Sequence, residues 1–134
     1  MFYLIGALFG LCAVGFGAAA EHLIHPHITS AQWIQIQTAL RYHRMTAIML
    51  IINGMTLSII PNLPKNIKNL LSTSSVFFIC GGLFFSLAIE IGVALNAPAL
   101  TSLAPIGGIA LCLAWFCLVI VGLLLPSKTK SQKS

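Results

Sequence analysis

Two carboxylates, Glu21 and Glu90, two arginines, Arg41 and Arg44, and four histidines, His22, His25, His27 and His43, are the groups with which this chain could do chemistry. All but Glu90 fall between Glu21 and Arg44. A carboxylate beside a guanidinium makes a fixed pair through two parallel hydrogen bonds. Carboxylates, arginines and imidazoles gathered in one layer could also hold a proton, an ion or an anionic group. The H-x-x-H-x-H of His22, His25 and His27 offers ligands suited to zinc or copper. That pattern is loose. It runs across Pro26, lacks the fixed helical geometry of H-E-x-x-H, and has no thiolate or second acid nearby. These histidines are therefore read as interfacial groups without a metal, and no cofactor is expected. The sequence holds no G-x-S-x-G, P-loop or dinucleotide fingerprint, which makes an enzyme the less favoured class.

The elements that must position these groups are apolar. Hydrophobic residues make up 58% of 134, charged residues 7%, and the mean hydropathy is +0.99. A soluble domain of this length carries far more surface charge. Long uncharged runs imply transmembrane helices, and the bilayer is the first expected partner. The net charge of +5 comes mainly from lysines in one turn and the tail, so it encodes topology and not nucleic-acid binding. Cys12, Cys80, Cys112 and Cys117 lie inside apolar runs without C-x-x-C spacing and are expected to be small buried hydrophobes. The first run has no Lys or Arg before it and is read as a retained helix.

Four helices are expected, over about 2–23, 30–60, 70–95 and 104–125, with a polar tail at 126–134, all in one membrane domain. On the first, Gly6, Gly10, Ala13, Gly17 and Ala20 form a stripe for close helix packing. Glu21 follows Gly17 by four and is expected to continue it. Thr29 with Gln32 has capping-box spacing, so the second helix should start near Ser30. Its early turns suit an interface, and Arg41, Tyr42, His43 and Arg44 should sit at or just inside the headgroup level. Further on, Tyr42, Met49, Asn53 and Thr56 form one stripe, with Asn53 as a helix–helix hydrogen-bonding group. On the third helix Ser75, Gly82, Ser86 and Glu90 share a face. On the fourth, Ala104, Gly108, Leu111, Trp115, Leu118 and Gly122 do.

Four spans bring both termini to one side, together with Lys65, Lys68, Lys128, Lys130 and Lys133. The positive-inside rule makes that side cytoplasmic. Glu21, Glu90, Arg41 and Arg44 then share the outer layer. Charges at that depth must pair or be hydrated, so a Glu–Arg pair is expected, with Glu21 the better-placed acid.

The chain resembles the domain-of-unknown-function 423 family of small inner-membrane proteins, over roughly Gly6 to Gly122. Gly17-Ala-Ala-Ala-Glu-His22 resembles the family's G-A-F-G-A-H. Thr38-Ala39 with Tyr42-His43 resembles T-A-x-x-Y-H-x-x-H, and Phe85-Ser86 the start of F-S-G-S-L-Y. Ala104-Pro-Ile-Gly-Gly108 with Trp115 resembles T-P-x-G-G and a later G-W. The sequence departs from the pattern at Glu21, at Thr46 (the family's second histidine) and at Glu90 (its tyrosine). The resemblance implies a four-helix protein of the bacterial inner membrane. It implies no activity, and it singles out His22, Tyr42 and His43 among the polar residues.

The expectation is thus an all-α, integral membrane four-helix bundle with cytoplasmic termini. Gly6, Gly10, Ala13, Gly17, Gly82, Ser86 and Gly108 pack its helices. Glu21, His22, Arg41, Tyr42, His43, Arg44 and Glu90 form an outward-facing polar cap. The leading functional reading is a structural or accessory subunit, as a homo-oligomer or with other membrane proteins. The alternative is a small transporter or ion-binding protein using the cap.

Overall fold

The computed structural model describes residues 1–125, so the expected tail at 126–134 lies outside the described residues. Helix α1 spans Phe2–Ala19 and runs on through a π turn at Ala20–Ile24 and a 3-10 turn at His25–His27. Pro26 therefore does not break the helix at Leu23. It stands at the start of the 3-10 turn, where its missing N–H costs nothing. Helix α2 spans Ser30–Ile59. Its start is the expected capping box: Gln32 N–H donates to Thr29 Oγ1 at 3.3 Å and Thr29 N–H to Gln32 Oε1 at 3.0 Å.

Helix α3 spans Lys65–Ala94, with a π segment at Gly82–Leu87 in its second half. It begins five residues before the expected Leu70, because Ile67 is buried beside Leu71 and Val121 and holds the first turn to the bundle. A short helix α4, Pro98–Thr101, leads into α5, Ala104–Leu124.

The architecture is an all-α bundle of four long helices. α1 packs chiefly on α2 and α3 on α5, while α2 and α3 join the two pairs. Tyr3 backbone lies against Gly54, and Val121 packs with Ile67 and Leu57, so the chain's start and the end of α5 share one end of the bundle. α1 and α2 touch backbone to backbone. A Cβ on Gly6 would stand 2.7 Å from Ala47 O and 2.9 Å from Ile51 N. Glycine is what permits this approach.

Phe2–His27, Lys65–Ala94 and Pro98–Leu124 are each long and apolar enough to cross a membrane, which marks the chain as a membrane protein. α2 is 30 residues long, about 45 Å, but its first half is polar. The outer faces are apolar too: Leu4, Leu8, Leu11 and Val14 on α1 and Ile109, Phe116 and Val119 on α5 are exposed. Cys12 and Cys112 lie on these exposed faces, contrary to the expectation that all four cysteines are buried, and only Cys117 is in the core. The packed stripe of α5 is Gly107, Leu111, Ala114, Cys117 and Val121. That is one position off the expected stripe, and Trp115 and Gly122 are exposed.

Candidate functional site

The bundle encloses a polar cluster near the end where α3 terminates. α2 lies between α1 and α3, and its buried residues include Ile36, Leu40, His43, Thr46, Ala47 and Leu50. His43 therefore faces inward, and its neighbour Tyr42 turns out at 39% exposure, edge-on to Phe85 at 5.1 Å. Glu90 lies one turn before the end of α3, on the face that carries Ser75, Gly82 and Ser86, all buried.

His43 and Glu90 meet. The ring Nδ1 is 2.9 Å from Oε1 and 3.1 Å from Oε2, and neither side chain has any solvent exposure. One proton on this line serves both groups. Such a pair has costly desolvation, and it persists only because each partner answers the other. Phe9 of α1 sits edge-on to the imidazole at 5.3 Å, and the same ring fills the space over Gly82. No room exists there for a larger residue at position 82.

The second ring nitrogen, His43 Nε2, is buried without a hydrogen-bond partner among the described residues, and so are the hydroxyls of Thr46 and Ser86. Thr46 is one turn beyond His43, and Ser86 one turn before Glu90. Elsewhere the chain satisfies such hydroxyls locally. Thr56, Ser58 and Ser75 donate to the carbonyls four residues earlier at 2.8–2.9 Å. Ser74 donates to Ala114 O at 3.0 Å, and the amide of Asn53 reaches Ser74 and Ser75 at 3.5 and 3.3 Å, as expected of a helix–helix group. An unpartnered buried polar atom costs about 1–3 kcal/mol. Here one of the three belongs to the ionisable pair, and the other two lie one helical turn from its members. Ser86 lies inside the π segment, an irregularity that recurs at functional sites.

The expected Glu–Arg pair is not formed among the described residues. Glu21 is 55% exposed, and its ionisable neighbour is His25, with Nδ1 at 3.8 Å. Ala20 takes the last buried position of the α1 stripe, and the π turn that follows sets Glu21 outside it. Arg41 and Arg44 are exposed, the Arg44 guanidinium lying alongside Gly17. His22 and His27 are exposed, and His25 stacks on Trp33 at 4.1 Å. No three His, Cys, Asp or Glu side chains converge as a metal-binding group among the described residues.

Of the stripe on α1, Gly6, Ala13 and Ala20 are buried, and Gly10 and Gly17 are half-buried against Ala47 and Leu40. Gly108 lines an apolar groove of about 610 Å³ with Tyr42, Phe85, Leu111, Cys112 and Trp115.

Residues 16–108 match the model of a family described as a protein of unknown function, DUF423. The chain belongs to the DUF423 family. No curated protein and no solved structure matches it. The DUF423 match covers His43, Thr46, Ser86 and Glu90 alike. Thr46 and Glu90, where this sequence departs from the pattern it resembles, both fall in the buried cluster. The sequence brought His43 and Glu90 into one layer but did not pair them. It gave Thr46 no role, although its i+3 spacing from His43 is visible there.

Proposed function

We propose that this DUF423 protein is a structural or accessory subunit of a membrane assembly, built from copies of itself or with other membrane proteins. One observation carries the reading. The deepest ionisable groups, His43 and Glu90, are fully enclosed and answer each other, while Glu21, His22, Arg41 and Arg44 disperse over the surface. A transport or catalytic site needs polar groups converging on an accessible cavity. Enclosed pairing of this kind fixes helix register instead. The apolar outer faces of α1 and α5 suit lipid and neighbouring helices. α2 is taken as a fourth span, with its polar first turns at the outer interface. By the positive-inside rule, Lys65 and Lys68 then favour cytoplasmic termini, with the bundle in a bacterial inner membrane.

The test is purification from native membrane at low detergent, followed by native mass spectrometry and identification of what co-migrates. A defined oligomer or a stoichiometric membrane partner is expected. A monomer with nothing attached at the lowest detergent that extracts it would overturn the reading.

A second reading, a small ion-binding protein, is favoured by the unpartnered atoms beside the buried pair.

A further inference from the structure

We propose that His43, Thr46, Ser86 and Glu90 form a buried polar site that holds internal water. The proposal is independent of the subunit reading, since a subunit can carry such a site or lack it.

The argument begins with proton counting. A buried pair is least costly when it is neutral overall. In that state one proton lies between Nδ1 of His43 and the Glu90 carboxyl group, whichever of the two holds it more tightly. The imidazole's other proton must then sit on Nε2. Nε2–H is a donor, and the chain offers it no acceptor. Removing that proton leaves Nε2 an acceptor with no donor. Both states need a small partner that can accept or donate, and water does both. Thr46 and Ser86, one on each helix, bring two further hydroxyls that the helices leave unbonded. A buried water makes two to four hydrogen bonds, and this cluster supplies donors and acceptors of the right kind.

The groups packed around the pair are otherwise largely apolar. The neighbours of His43 in α2 point away: Tyr42 lies against Phe85, and Arg44 beside Gly17. α1 presents the Phe9 ring, and α3 presents Glu90. The apolar residues Ala20, Ile36, Leu40, Ile89 and Val93 form the core beside it.

The test uses the full chain, labelled with imidazole-15N histidine, in phosphatidylcholine nanodiscs. His43→Gln assigns the His43 signals. The His43 Nε2–H signal is expected to show magnetisation transfer from water. Glu90→Gln, which changes the partner of Nδ1, should shift the His43 signals. Because the ionisable variants could unfold, Thr46→Val with Ser86→Ala provides an independent arm. If the hydroxyls hold water, the double variant loses the water contact and melts lower. If they are simply unpaired, removing them raises the melting temperature and leaves the His43 signals unchanged. That second result overturns the proposal, as does a His43 ring that shows no magnetisation transfer from water.

Discussion

At the scale of single residues, the two glutamates of this chain have opposite fates. Glu90 has no exposure and depends on His43; Glu21 is 55% exposed and 3.8 Å from His25. Removing one partner of a buried pair strands the other, at about 3–5 kcal/mol. Glu90→Ala should therefore lower stability in detergent by about that amount, read from thermal or denaturant unfolding. Glu21→Gln should change it by less than about 0.5 kcal/mol, as exposed substitutions do. Comparable losses from the two variants would contradict this placement. From the sequence, both acids are expected in one layer toward one end of the bundle. It did not show which of Tyr42 and His43 turns inward, because neighbours on a helix differ by only about 100°. Tyr42 shares a stripe with Met49, Asn53 and Thr56, and His43 shares one with Ile36, Leu40, Leu50 and Gly54. Both stripes read as packed faces. α2 is flanked by α1 and α3, so most of its circumference is used, and periodicity alone does not choose. The choice is made by the register of α2 against α3, a long-range property.

Among the elements, close helix approach divides the glycines into two kinds. Gly54 faces the backbone of Tyr3, and Gly107 the backbone of Phe84 and Phe85 in the π segment. A methyl at either position meets main chain, which cannot swing aside, so the helices must separate. Gly54→Ala and Gly107→Ala should each cost about 1–3 kcal/mol, the range for overpacked cores. Gly15 and Gly122 have no atom within 4 Å of the added Cβ. Alanine there should be neutral or stabilise by up to about 1 kcal/mol, through helix propensity. Melting curves of the four variants in one detergent check the contrast, and equal effects would refute it. The small-residue pattern of α1 was legible because it repeats along one face. The α5 stripe was misplaced by one position because Gly107 and Gly108 are adjacent and equally small. The π segments were not legible, since nothing in Gly82–Leu87 or Ala20–Ile24 distinguishes a wider turn from an ordinary one. What marks Gly82–Leu87 lies in its neighbours: Gly107 packs against Phe85, and Phe9 against Gly82.

For the whole molecule, the decisive question is whether α2 crosses the bilayer. Three helices are apolar enough to do so unaided, and α2 is the fourth by geometry alone. Its second half runs antiparallel to α1, with Gly54 at Tyr3 and Ala47 at Gly6. α1 cannot span without carrying that half along. The polar first turns, including Gln32, Gln35 and Gln37, extend about 45 Å from the far end of the helix, beyond a hydrocarbon core of about 30 Å. They must then project beyond the hydrocarbon core into one interface. Asn66, just inside α3, then lies on the opposite side, beside Lys65 and Lys68. On a chain whose four native cysteines are replaced by alanine or serine, Gln35→Cys and Asn66→Cys can be probed separately with a membrane-impermeant maleimide. Intact bacterial cells with permeabilised outer membranes should label position 35 and spare position 66. Opening the inner membrane should expose both. Labelling of both positions in intact cells would mean that α2 does not cross, and the lysine-bearing turn would then lie outside. Labelling of position 66 alone would keep the four spans and invert them, placing the arginine end, and the enclosed His43–Glu90 pair one turn beneath it, toward the cytoplasm.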